Sequence, residues 1–474
     1  MKRIFLLWLA AAWMPAQAKI ALPALFGDNM VLQQQCEASL WGRSDASEVI
    51  VRTSWSDEEF RAEVRDGRWK LALPTPAASY EPQTLTLRDA DSQTTLRNIL
   101  IGEVWICSGQ SNMYMPLRGY TGQPVAEALP TILEAAEYRD RIRMITLPKR
   151  DAATPQDDFE GRWEAASPAT APRMSATAYF FARSLTQALD TPVGIVSTSW
   201  GGSKIEAWMD PASLSELGYD TAKINADPKT DARTRCGTIY NGLIAPVAGF
   251  AARGFVWYQG EANRKGAARY ARLLERMATD WRMQWNDPNN RMPFLYVQIA
   301  PYSYKNSAAT EAAQLMEAQS DALELIANSA MVSTTDLGEE NCIHPARKRP
   351  VGERLAAAAL VKAYKHKLAD ALAVRFAGAE FTGGKAMVRF DNARYGLTPQ
   401  TEEITGFELA GADGRFHPAT GRIVVSKPIV EVTSPEVPQP TAVRYSFHNY
   451  APGNLANTLG MPVVPFRTDR TKEN

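Results

Sequence analysis

Three short polar segments each stand directly behind an apolar run, and together they carry the groups that acyl-transfer chemistry needs. Gly109-Gln110-Ser111-Asn112 follows Glu103-Val104-Trp105-Ile106-Cys107. A turn from strand to helix at that point can raise the Ser111 hydroxyl above a sheet while its own N–H points into the same space. Ser199-Trp200-Gly201-Gly202-Ser203 follows the Val193–Ser197 run, and paired glycines permit close backbone approach and an N–H donor for an oxyanion. Tyr258-Gln259-Gly260-Glu261-Ala262-Asn263 is the third segment, where Gln259 or Asn263 can donate an amide N–H to the same oxyanion. Each also has a plainer reading: Ser111 as a helix cap, the glycines as a turn, the amides as a loop network.

A serine nucleophile needs a base close to neutral pKa. The chain has 4 histidines. His366 sits between Lys365 and Lys367 in a helical pattern, and His417 and His448 fall in a β-like tail. His344, in Cys342-Ile343-His344-Pro345, lies between a strand-like run at Met331–Thr334 and a helical run from Val351, so it can reach the same sheet edge as Ser111. No His-Glu-x-x-His or Cys/His metal spacing occurs, and no metal or cofactor is expected.

In an open α/β sheet, sites form in the crevice beyond the carboxyl ends of the strands. Continuous apolar runs at 103–107, 141–147, 193–197, 254–258, 294–299 and 331–334 alternate with helical patterns at 175–189, 267–285 and 351–369, and Ser175 is the cap candidate of the first helix. That alternation requires a mostly parallel sheet covered on both faces. Residues 101–370 are therefore read as one α/β domain. Period-two stretches at 48–53, 68–73 and 84–87 mark residues 19–100 as a β-rich, sandwich-like domain, and similar texture makes 371–474 a β-rich C-terminal domain.

The whole chain has 474 residues, 52 basic against 52 acidic side chains and 45% apolar content, which excludes disorder and argues against nucleic acid as a partner. Lys2 and Arg3 precede an apolar run from Ile4 to Met14, and Ala16-Gln17-Ala18 has the form of a cleavage site. Residues 1–18 read as a signal peptide, with export to the periplasm favoured over full secretion and no stable membrane insertion after cleavage. The 4 cysteines, Cys36, Cys107, Cys236 and Cys342, are too few for a fold-wide disulfide framework, although one bridge is open.

Several blocks occur in an order that resembles the sialate O-acetylesterase family of the SGNH hydrolase superfamily. They are Asp28-Asn29-Met30-Val31-Leu32-Gln33, Gly102 through Met113, Gly201 through Trp208, Tyr240-Asn241-Gly242-Leu243-Ile244-Ala245-Pro246, Trp257-Tyr258-Gln259-Gly260-Glu261, Asp336-Leu337-Gly338, Ile343-His344-Pro345 and the tail from Val443 to Asp469. The resemblance implies a three-layer SGNH-like domain and a metal-independent esterase acting on an O-acetylated sugar or glycan. It makes Ser111 the nucleophile and His344 the base. The Ser111 N–H, Gly202 and Gln259 become the oxyanion donors, with Asn112 and Asn263 organising the loops. The family's aspartate two or three residues before the histidine is missing, because Asn341 and Cys342 stand there. Asp336 is the carboxylate expected to orient His344; Asn341 or a backbone carbonyl competes for that role. Three functional classes stay open: a sialate-type O-acetylesterase, a non-catalytic carbohydrate-binding descendant, and an esterase for acetylated plant polysaccharide or short acyl esters.

Overall fold

The computed structural model describes residues 20–425 and 427–470; the signal peptide expected over residues 1–18 lies outside them. The organising element is one long strand, Gln93–Gly109. Its first part pairs antiparallel with Ser79–Arg88, and Leu100–Gly102 pairs parallel with Val31–Gln33. Its second part runs parallel between Val193–Ser199 and Gly254–Tyr258. The boundary expected at residue 100 therefore falls inside a strand, and the N-terminal β-rich segment is joined to the central sheet without a linker.

The central path continues outward on one side through Phe294–Val297 to Ser329–Val332, and on the other to Ile142–Thr146. All these pairings are parallel, and only the two-residue edge Glu164–Ala165 is antiparallel. Alternation along the long strand sends side chains to both faces. Trp105 and Cys107 join the core with Phe180, Phe181, Leu355 and Ala359 of the helices Ala176–Leu189 and Arg349–Lys362. Val104 and Ile106 belong to the opposite core, with Leu274, Trp281 and Met316 of the helices Ala267–Gln284 and Glu311–Leu325. Ser175 caps the first of these helices, its hydroxyl accepting the Ala178 N–H at 3.2 Å.

The helix Glu311–Leu325 was not expected from the sequence. Its buried face carries Glu317 and Gln319 among apolar residues, which hides the helical period. The C-terminal part is a 7-stranded antiparallel sheet with its own core around Val388, Val430, Leu409 and Tyr445. It docks on that unexpected helix, where Arg467 and Arg470 both reach Glu317. All four cysteines are unpaired. Among the described residues no helix is long and apolar enough to cross a membrane.

Candidate active site

Strand register aligns the chemistry. Gly109 is paired with Ser199 on one side and Tyr258 on the other, Tyr258 with Val297, and Val297 with Val332. The five strand ends thus finish level, and the loops behind them meet in one crevice. Gly109 itself has φ 142°, and a Cβ there would lie 2.2 Å from the Tyr258 carbonyl oxygen, so only glycine lets the serine turn start this close to its neighbour.

Ser111 opens the short helix Ser111–Tyr114. Its N–H meets no acceptor among the described residues, and the same holds for Gly202. Gly201 presses against the serine: a Cβ on it would stand 3.2 Å from Ser111 Cβ. Gly202 follows at φ 74°, a backbone conformation that suits glycine. Both N–H groups are thus without a protein acceptor on neighbouring loops, and free backbone donors of this kind can serve an oxyanion.

A turn that the sequence did not single out contacts both Ser111 and His344. Tyr120 and Gln123 exchange backbone hydrogen bonds of 2.9 and 3.0 Å. The Tyr120 hydroxyl donates to the Ser111 carbonyl oxygen at 3.0 Å, and its ring meets the His344 ring edge-on with centroids 5.2 Å apart. The Asn112 amide also donates to the Ile343 carbonyl at 3.1 Å, tying the serine helix to the histidine loop. Ser111 Oγ and His344 Nε2 do not share a hydrogen bond here; such contacts often tighten only when substrate binds.

Asp336 does not orient His344, which corrects the expectation. Both Asp336 oxygens accept from Arg354, at 2.8 and 2.7 Å. The Nδ1 partner of His344 is the side-chain oxygen of Gln123 at 2.6 Å. Asn341, the competing candidate, lies exposed in the turn from Glu339 to Cys342 and makes no hydrogen bond to the imidazole. Burial, and secondarily the Lys348 charge, push the His344 pKa down to about 4.

Gln259 is likewise corrected. It is fully buried. Its amide nitrogen donates to the Ser203 carbonyl at 2.9 Å and to Asn263 Oδ1 at 2.8 Å, while its oxygen accepts from the Tyr270 hydroxyl at 2.8 Å. Both N–H groups are engaged, so none faces an oxyanion. Asn263 also accepts the Ile205 N–H at 3.0 Å and donates to Glu206 at 2.9 Å, which makes it the clasp between the second and third loops.

Asn112 lies in a hydrogen-bond network that the sequence did not reveal. Its amide nitrogen donates to Glu261 at 2.7 Å, and its oxygen accepts from the ammonium of Lys348. Both charged partners are buried, with Glu261 at 3% and Lys348 at 1% exposure. Burial pushes Glu261 up and brings Lys348 down to about 7. Among the described residues no group of three or more His, Cys, Asp or Glu is placed to hold a metal ion. A cavity of about 690 Å³ lined by Trp41, Arg43 and Arg68 lies elsewhere and includes none of these residues.

A serine at the carboxyl edge of a parallel sheet, tied through Tyr120 and Asn112 to a histidine loop, carries residue types that serine hydrolases on α/β scaffolds use. The family model described as a carbohydrate esterase, sialic acid-specific acetylesterase, matches residues 101–361, and the chain belongs to that family. The crystal structure of a carbohydrate acetylesterase from Xanthomonas citri superposes with a TM-score of 0.85 at 34% identity, covering 96% of this chain and 100% of that one. The sialate O-acetylesterase of Homo sapiens is 25% identical over 373 residues, 72% of this chain and 70% of that protein. The Mus musculus enzyme is 26% identical over 404 residues, 73% of this chain and 74% of its own length.

Proposed function

We propose that this protein is an exported, serine-dependent carbohydrate O-acetylesterase, with O-acetylated sialate as its first substrate class. The observation that carries the reading is the free Ser111 N–H and Gly202 N–H, together with one turn, Tyr120–Gln123, that bonds to both the Ser111 carbonyl and the His344 ring. The family model and the Xanthomonas citri carbohydrate acetylesterase support sugar acetyl esters, and the mammalian sialate O-acetylesterases support the sialate reading. The parallel sheet covered by helices on both faces supports an SGNH-type catalytic layer. Export to the periplasm rests on the basic, apolar and Ala16-x-Ala18 succession at the start of the chain.

In the proposed reaction, Gln123 accepts His344 Nδ1–H and leaves Nε2 unprotonated. Nε2 takes the Ser111 proton as Oγ bonds to the acetyl carbonyl carbon, and the carbonyl oxygen becomes an oxyanion facing the Ser111 and Gly202 N–H groups. Collapse breaks the bond to the sugar oxygen, which receives the proton from His344. The acetyl-Ser111 ester is then attacked by water. His344 takes a water proton, acetate leaves, and the serine hydroxyl is restored.

The test is acetate release from O-acetylated sialate, xylose-based oligomers and glucose-based oligomers, with Ser111→Ala as control. Release by the parent and none by the variant is expected, with sialate turned over best. Equal release by the variant would overturn the serine mechanism, and preference for a plant oligomer would replace the sialate reading.

A further inference from the structure

An oxyanion hole made of two backbone N–H groups is short of a donor once Gln259 is bound inside its own network. A cation on a different loop lies beside Gly202. The loop around Arg233 is tied to the glycine turn by the Lys204 N–H, which donates to the Arg233 carbonyl at 2.9 Å. The guanidinium is held in a fixed pose by Asp231: Nε donates to Oδ1 at 2.8 Å and Nη2 to Oδ2 at 2.7 Å. Asp231 Oδ1 also accepts the Arg233 backbone N–H at 2.8 Å. This fork leaves Nη1 without a protein acceptor among the described residues. A Cβ on Gly202 would stand 3.1 Å from that Nη1. The Arg233 side chain is 45% exposed, so substrate can reach it.

We propose that Arg233 Nη1 is the third donor to the acyl carbonyl oxygen, acting from the side of Gly202, with Asp231 as its positioning residue. The inference rests on the esterase reading and adds a residue that lies outside the three strand-end loops. The geometry is economical. Two of the three guanidinium nitrogens are fixed by a carboxylate, which aligns the third without further ordering, and a charged donor makes a stronger hydrogen bond to an oxyanion than a neutral amide does. Asp231 also offsets much of the arginine charge. The site therefore suits a neutral carbonyl that gains charge in the transition state better than a substrate already carrying a full negative charge at that point.

The test uses the full-length mature enzyme with 4-nitrophenyl acetate, which has the acetyl group but no sugar, alongside an acetylated sugar. Loss of one such donor lowers turnover by roughly 10²-fold or more in serine hydrolases. Arg233→Met is expected to lower kcat by about that factor on both substrates while KM moves by less than about threefold. Arg233→Lys keeps a charge without the fork and should fall between parent and Arg233→Met. Asp231→Asn should lower kcat by about tenfold, and millimolar guanidinium should restore part of the activity lost in Arg233→Ala. An unchanged kcat on 4-nitrophenyl acetate in Arg233→Met would overturn the proposal. So would a rise in KM confined to the sugar ester, which would make Arg233 a sugar contact instead. Full activity in Ser111→Ala would instead sink the serine mechanism on which the proposal rests, so the two failures are separable.

Discussion

His344 Nδ1 lies 2.6 Å from the side-chain oxygen of Gln123, and a neutral amide holds the place that a carboxylate takes in a Ser-His-Asp triad. The amide oxygen fixes the tautomer as well as a carboxylate does, because it can only accept. What it lacks is the charge that stabilises the imidazolium formed during attack.

Gln123→Ala is therefore expected to lower kcat by roughly 10–10²-fold through loss of orientation, with the denaturant midpoint nearly unchanged at this half-buried site. Gln123→Glu keeps the acceptor and adds the charge. It should move the acid limb of kcat/KM upward, because a carboxylate beside the imidazole favours its protonated form. An acid limb that stays in place in Gln123→Glu would show that Gln123 does not contact His344 in the working enzyme.

Asp336→Asn separates the corrected role from the expected one. Arg354 is nearly buried, at 9% side-chain exposure, and both Asp336 oxygens serve it. Removing the charge should lower stability by about 1–3 kcal/mol, read from urea unfolding, because a nearly buried guanidinium loses its ionised partner. Turnover of the folded protein should stay within about threefold of the parent. A loss of orders of magnitude in kcat without a stability change would return Asp336 to the catalytic centre.

Much of this was legible because it depends on local pattern. The apolar runs ending at Cys107, Ser197 and Tyr258 announced strands whose ends carry Ser111, Gly202 and Asn263, and strand register then aligned them. Gln123 was not legible. It reaches His344 across 221 positions from a two-residue turn with no periodic signal. The missing acid before His344 was visible in the sequence, but a glutamine as its replacement was not, since an amide has no motif of its own. Gln259 misled for a related reason. Its type permits donation to an oxyanion, and only the packed structure shows that Ser203, Asn263 and Tyr270 already satisfy it. Lys348 carries no signal of its burial in the sequence, because a lysine is ordinarily solvated.

Gln259→Ala is accordingly expected to act on folding. It leaves the Ser203 carbonyl without a partner inside the protein, at about 1–3 kcal/mol, while Asn263 Oδ1 keeps the Ile205 N–H and the Tyr270 hydroxyl keeps the backbone carbonyl of residue 259. A fall in melting temperature of several degrees is expected, with a smaller fall in kcat than in Arg233→Met. If Gln259→Ala melts like the parent and loses 10²-fold in turnover, the amide is a donor after all.

The pH dependence follows from Lys348 and His344 together. The base is the neutral imidazole, so activity is present above the His344 pKa and lost below it. With that pKa held to about 4, kcat/KM should stay level from neutral pH down to about 5 and fall near 4, well below the ordinary histidine value of 6.5. Stability carries the same sign: the unfolded chain binds the proton more readily, so stability declines as pH falls from 6.5 through 4. Lys348→Met removes the charge that is the second cause of the His344 shift and leaves burial, the first, in place. The acid limb should therefore rise above 4 and stop short of 6.5. The variant also loses the hydrogen bond to Asn112, which lowers its stability at every pH. A depressed lysine is a growing liability as pH falls from 10.5 to about 7, because the unfolded chain takes up the proton first. The stability gap between variant and parent should thus narrow, or reverse, over that interval. An acid limb at the parent position in Lys348→Met, with a pH-independent stability gap, would show that Lys348 is neither coupled to His344 nor lowered in pKa by its burial.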